Sequence, residues 1–199
     1  MTLIDDPRIT AASPADAPPA AAALAAAFYD DPVFRWFSPD DERRRALLPG
    51  FFDVFVASYL DRGEPYVAAD GAGAALWAPP AVDPVGDDPA AGAQLEELAG
   101  PDAARLFEVV ERLEEHAPQE PHHHLQFLGV HPERQGAGLG GVLMTPVLRR
   151  LDREGVPAYL EATSDRNRAL YERHGFRVQG AIPLPGGPSL WRMWRPPTV

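Results

Sequence analysis

Apolar residues recur along this chain with two different periods, and the switches between them mark out its elements. A short strand is read around Arg8 to Ala11, after which Ser13-Pro14-Ala15-Asp16 forms a helix start and an alanine-rich helix ends before Asp30-Asp31-Pro32. The aromatic cluster Phe28, Tyr29, Phe34, Trp36 and Phe37 falls in the connection that follows, where it either packs the core or walls a ligand site. A second helix, about Asp40 to Leu60, carries Leu47, Leu48, Phe51, Phe55 and Tyr59 near helical spacing. PYVAAD and AGAALWA flank Asp70-Gly71 and read as a strand pair. Residues 79–121 form a proline-punctuated insertion with helical content at LEELAG and ARLFEVVERLEEH.

The pattern then becomes regular. Strand HLQFLGV leads into HPERQGAGLG, and the helix Leu139 to Glu154 turns Leu139, Val142, Leu143, Val147, Leu148 and Leu151 to one side and Arg149, Arg150 and Arg153 to the other. Gly155 stops it. Strand VPAYLEA, a cap at Ser164 or Asp165, a short helix through His174 and a strand pair around PLPGGPS complete the order. Strand, helix, strand, helix and antiparallel strands predict one α/β domain over residues 1–199, a twisted mixed β-sheet flanked by helices on both faces.

Composition removes several chemistries. All 18 basic residues are arginine, so a lysine Schiff base and a Walker A loop are excluded, and the absence of cysteine removes thiolate metal sites and cysteine-linked intermediates. None of the five serines lies in a Gly-x-Ser-x-Gly elbow. The net charge of -11 argues against nucleic acid as a partner. Its distribution is uneven: residues 1–124 hold 8 arginines against 23 acids, and residues 125–199 hold 10 against 6, so one half suits a cationic ligand and the other an anionic one. The N-terminal MTLIDDPR carries acids where a signal peptide carries positive charge, and no apolar run is long enough to span a bilayer, so no membrane partner and a cytoplasmic location are expected.

Gln135-Gly136-Ala137-Gly138-Leu139-Gly140 lies between a strand and a helix start, where unpaired N–H groups converge on an anion such as a pyrophosphate. Gly136-x-Gly138-x-x-Gly141 also fits a dinucleotide fingerprint, with Glu161 at the end of the next strand. Against that reading, five residues including Pro132 separate Val130 from the first glycine, and little chain remains for a doubly wound sheet.

LGVHPERQGAGLG, followed by a helix, a strand and ATSDRNRALYERHGF, resembles the GNAT superfamily of acetyl-CoA-dependent N-acetyltransferases. Across the whole chain, LAAAF, AALWAPP, PLPGGP and the C-terminal Trp-Met strand resemble the puromycin N-acetyltransferase branch. The resemblance implies a GNAT fold with acetyl-CoA as co-substrate. Its pantetheine arm would lie beside Leu128 and Val130, and its pyrophosphate over Arg134, Gln135, Gly136, Gly138, Leu139, Gly140 and Gly141, with Asn167 and Tyr171 at the thioester end. Ala137 stands where many relatives carry a cation, which leaves backbone N–H groups and Arg134 to hold phosphate.

The resemblance also implies a backbone oxyanion donor near Val130 and Tyr171 as the proton donor to the departing sulfur. An incoming ammonium must lose a proton. Glu161 is the first candidate base, with an arginine such as Arg134 or Arg166 as its alternative partner, and His124 is the second. Adjacent His122, His123 and His124 alternate faces in a strand, so no metal is expected. The expected function is direct transfer of acetyl to a small-molecule amine in antibiotic or xenobiotic detoxification, by a monomer or homodimer. A non-catalytic acyl-CoA-binding module and a protein or peptide N-acetyltransferase are the alternatives. The acceptor is expected between Phe28–Phe37 and residues 79–121, with Trp36 and His124 as its contacts.

Overall fold

The computed structural model describes residues 8–198; the MTLIDDP run used in the targeting argument lies outside them. In chain order the elements are β1 (Ile9–Ala11), α1 (Ala17–Phe28), α2 (Pro32–Phe37), α3 (Asp41–Arg62), β2 (Glu64–Ala68), β3 (Gly73–Ala78), α4 (Pro89–Ala99), α5 (Ala103–Glu115), β4 (His123–Val130), α6 (Leu139–Glu154), β5 (Ala158–Ala162), α7 (Asp165–Arg173), β6 (Arg177–Pro183) and β7 (Ser189–Arg195). The aromatic segment expected as a connection is itself a helix, α2. Asp31 caps it by accepting from the Val33 and Phe34 amides, and Pro32 stands where no amide partner is needed.

The strands form one mixed sheet in the order β1-β2-β3-β4-β5-β7-β6, antiparallel everywhere except between β4 and β5. This order excludes the doubly wound sheet of the dinucleotide alternative. Two apolar layers hold it. Helices α1 to α5 cover one face through Leu24, Phe34, Phe37, Leu48, Phe52 and Val56. On the other face α6 and α7 pack Leu143, Met144, Val147, Leu151 and Tyr171 against Trp77, Leu125, Leu160 and Met193. No described helix is long and apolar enough to cross a membrane. Val142, expected on the buried side of α6, is only half-buried, and Met144 takes the deeper position.

Three local features shape the centre of the sheet. First, β4 and β5 pair only at His123↔Ala158 and His124↔Tyr159 and then diverge. Second, Trp77 pairs with Leu125 but Leu76 with Phe127, so Gln126 is an extra residue in β4. Such a bulge inverts which edge each amide faces: the His123 amide donates towards β5, to Pro157, whereas the His131 amide donates towards β3, to Ala72. By alternation the Leu128 and Val130 amides point into the gap beside β5. Third, Gly129 lets α1 lie close to β4, since a Cβ there would stand 2.8 Å from Leu24 and 3.0 Å from Ala27.

Within the insertion, the buried Asp102 accepts from Ser38 Oγ at 2.7 Å and from Arg43 Nε at 3.2 Å, which ties the start of α5 to the ends of α2 and α3. On the far edge, Arg195 of β7 is held by both carboxylate oxygens of Asp152 on α6, at 2.7 and 2.8 Å. These anchors fix the elements that surround the gap.

Candidate active site

The glycine loop borders a cavity of about 770 Å³ that opens along the β4–β5 gap. Gly136 and Gly138 have φ of +84° and +79°, and added side chains would meet no atom within 4 Å, so both faces of the loop are open to a ligand. Among the described residues, the amides of Gly136, Ala137 and Gly138 donate to no backbone group. They run directly into the first turn of α6, where the Leu139 and Gly140 amides also donate to no backbone group, while those of Gly141 and Val142 donate to the Gly138 carbonyl. A diphosphate fits this set of donors. Gly141 has a further role: a Cβ there would stand 2.8 Å from His174 Nε2, so the glycine allows α6 and α7 to touch.

Leu128, Val130, Arg134, Gln135, Gly136, Gly138, Leu139, Gly140, Gly141 and Asn167 all line this cavity. Gln135 Nε2 donates to the Val130 carbonyl at 2.9 Å, which fixes the loop on the end of β4. Arg134 pairs with Asp70 at 2.7 Å while still facing the cavity. Two further arginines, Arg166 and Arg173, line it as well and have no ion-pair partner among the described residues. Reading the Gly-rich motif by itself misses both, because they come from α7, the helix after the one the loop opens.

A second cavity of about 110 Å³ lies under α2 and α5, between the aromatic segment and the insertion. Phe28, Phe34, Phe51, Phe55 and Phe127 form its wall with ring centroids 4.8 to 6.3 Å apart, and Leu106, Val109, Val110 and Leu113 of α5 close it. Its wall is apolar, contrary to the acidic surface expected from the charge split. Most acids of the first half are on the outside, and the carboxylates lining this cavity are Asp31 and Glu161.

The two cavities share Phe28, Asp31, Leu128, Asn167 and Tyr171, so they meet where β4 and β5 diverge. Tyr171 is buried at 6% exposure on α7, a helix started by Ser164, whose Oγ accepts from the Asn167 amide at 3.2 Å. Burial, followed by the charge of Asp31, pushes the Tyr171 phenol well above its ordinary range, so it keeps its proton at neutral pH. Among the described residues nothing hydrogen-bonds that hydroxyl.

Glu161 enters the second cavity from β5 and accepts from His124 Nε2 at 2.8 Å. Its partner is therefore this histidine rather than Arg134 or Arg166. The pairing follows from β4 and β5 being in register at His124↔Tyr159, two residues before Glu161. Burial alone would raise the Glu161 carboxyl and lower the His124 imidazole. Their mutual attraction and hydrogen bond outweigh it, so Glu161 is held below and His124 above the usual value. His124 thus backs Glu161 and does not itself line the cavity. His123 faces the other side of the sheet, 3.6 Å from Glu64, while His122 packs on Tyr159 and Trp194.

Trp36 lies outside the second cavity. Helix α2 turns Val33, Phe34 and Phe37 inward, which leaves Trp36 on the opposite side over Gly187, with the Arg105 guanidinium 5.7 Å from its ring. Asp31 and Thr163, by contrast, line the second cavity, although the sequence reading used Asp31 only as part of a helix stop. The sequence signal was Asp-Pro at a helix start, a cap whose burial depends on contacts distant in sequence.

Residues 82–176 match the model of the acetyltransferase (GNAT) family. The crystal structure of "histone acetyltransferase HPA2 and related acetyltransferase" from Corynebacterium glutamicum is 30% identical, covers 96% of both chains and superposes with a TM-score of 0.74. An N-acetyltransferase of Schizosaccharomyces pombe is 29% identical over 183 residues, 83% of this chain and 72% of the relative. At 18% identity, the polyamine N-acetyltransferase of Drosophila melanogaster shares the fold over 94% of this chain, with a TM-score of 0.60. The mixed sheet, the glycine loop on α6 and these relatives together place the chain in the GNAT family of acetyltransferases.

Proposed function

We propose that the chain transfers acetyl from acetyl-CoA to the amine of a small molecule by direct attack. The observation that carries this reading is the meeting of an arginine-lined cavity on the glycine loop and an apolar cavity at Tyr171. The loop amides with Arg134, Arg166 and Arg173 would hold the phosphates, and the open edge of β4 would hold the pantetheine arm. The small volume of the second cavity under α5, about 110 Å³, favours a small acceptor over a protein terminus. If the resemblance of LAAAF, AALWAPP and PLPGGP to the puromycin N-acetyltransferase branch extends to the acceptor, that acceptor is an aminonucleoside-like or other xenobiotic amine, and the role is detoxification in the cytoplasm, as monomer or homodimer.

Acetyl-CoA, when bound, supplies the acetyl thioester. The Val130 amide faces the gap and is free to donate to a carbonyl oxygen as negative charge grows on it. Glu161, backed by His124, takes the proton that the acceptor's ammonium must lose, directly or through one water. The new N–C bond forms as the C–S bond breaks, and Tyr171 gives its phenolic proton to the sulfur. With no cysteine in the chain, no acetyl-cysteine enzyme stage is available. Screening primary amines with acetyl-CoA and a free-thiol readout tests the reading. Thiol release that no amine accelerates overturns it.

Three variants probe its parts. Gly138→Val places a β-branched residue at φ +79°, at a strain cost of about 1–3 kcal/mol, and is expected to abolish the rise in Tm that acetyl-CoA gives the native chain while leaving it folded. A normal rise would refute the phosphate-loop assignment. Tyr171→Phe keeps the packing and removes the proton, so turnover should fall by about 10²-fold with acetyl-CoA affinity unchanged. Unchanged turnover with chemistry rate-limiting would make Tyr171 a packing residue only.

The pH dependence of kcat has a definite sign. The pair can accept a proton only when Glu161 is ionised and His124 neutral, and His124 is held above its usual value, about 6.5. Turnover should therefore climb as pH rises past about 6.5 through the raised apparent pKa of the pair. In His124→Gln that limb should move down towards the carboxylate range. A limb that stays in place would show that His124 takes no part.

A further inference from the structure

Asp31 is nine-tenths buried and stands at the junction of the two cavities. Its Oδ1 accepts from the amides of Val33 at 2.9 Å and Phe34 at 3.4 Å, and its Oδ2 accepts from Thr163 Oγ1 at the end of β5. These bonds leave acceptor capacity on Oδ2. They also leave the charge unmatched. Among the described residues no cation pairs with Asp31, because nearby Arg44 is committed to Tyr29, Ser38 and Asp41, and Arg43 to Asp102.

Capping does not account for that charge, since neutral Asn or Ser caps a helix as well as Asp does. A carboxylate buried without a counter-ion is costly, and a cation brought by a ligand relieves the cost. Glu161, the other carboxylate on the second cavity, already has a hydrogen-bond donor in the His124 imidazole, which becomes its counter-charge on protonation. Around them the wall is Phe28, Phe34, Phe51, Phe55 and Phe127, with no lysine or arginine lining it. A volume of about 110 Å³ is of the order that one six-membered ring occupies.

We propose that Asp31 anchors the acceptor's ammonium and makes the site selective for a monoamine with an apolar, ring-sized body and no carboxylate. A free amino acid would set its own carboxylate against Asp31 and Glu161 with no cation to receive it. An amine, amide or ester of the same shape meets no such repulsion. The inference rests on reading the second cavity as the acceptor site.

The test measures binding rather than turnover, on the full chain saturated with CoA. Calorimetric titration with 2-phenylethylamine and with 2-phenylethanol compares an ammonium with a neutral group on the same body. The native chain should favour the amine by about tenfold or more, and Asp31→Asn, which keeps the cap, should bring the two within about twofold while binding CoA normally. Phenylalanine should bind about tenfold or more weakly than phenylalanine amide. If Asp31→Asn binds CoA poorly, Asp31→Ser, also a capping residue, is read in the same way. An amine preference that survives in the variant, or is lost instead in Glu161→Gln, overturns the assignment to Asp31. Equal binding of phenylalanine and its amide overturns the selectivity. Failure of both phenylethyl probes to bind the native chain overturns the acceptor-cavity reading itself.

Discussion

A sheet is stable because neighbouring strands satisfy each other's amides, and the centre of this one breaks that rule between β4 and β5. After two paired residues the strands separate, and the bulge at Gln126 turns the Leu128 and Val130 amides into the opening. Unpaired amides in the middle of a protein demand a partner. The glycine loop continues the same edge into the first turn of α6, so the free donors form one line from the middle of the sheet to the surface. The cavity, the reach of Tyr171 from α7 and the position of Glu161 on β5 all depend on that divergence.

Around the opening the charges are separated by function. Arg134, Arg166 and Arg173 face the outer cavity, where an anionic ligand would lie, and the inner cavity has an apolar wall with two carboxylates. Between them Tyr171 is kept protonated by burial and by Asp31. A tyrosine that holds its proton and the carboxylate of the Glu161–His124 pair therefore line the same inner cavity. That arrangement can move protons in both directions needed for acyl transfer to an amine without a covalent enzyme intermediate.

The sequence made the second half of the fold legible because its signals are local. The period of α6, Gly155 after it and the cap at Ser164 each act within a turn or two, and α6 spans the expected Leu139 to Glu154. The residues expected around the glycine loop fall on one cavity for the same reason. Trp36 and His124, expected as acceptor contacts, do not line the inner cavity, because the face a short helix presents, and the partner a strand histidine finds, are set by tertiary packing. Asp31 was read only as a helix stop. Its second role needs Thr163, 132 residues away, and the fold of α5 over the cavity. The charge split is not repeated in the lining of the inner cavity, since summed charge says little about which few carboxylates are buried.

The most direct measurement is an experimental structure of the chain with acetyl-CoA. The expected complex has the diphosphate on the Gly136–Gly140 amides, the acetyl oxygen about 3 Å from the Val130 amide, and the sulfur beside the Tyr171 hydroxyl at the junction with the inner cavity. A ligand seated elsewhere, or a thioester directed away from Tyr171 with the β4–β5 opening empty, would contradict it.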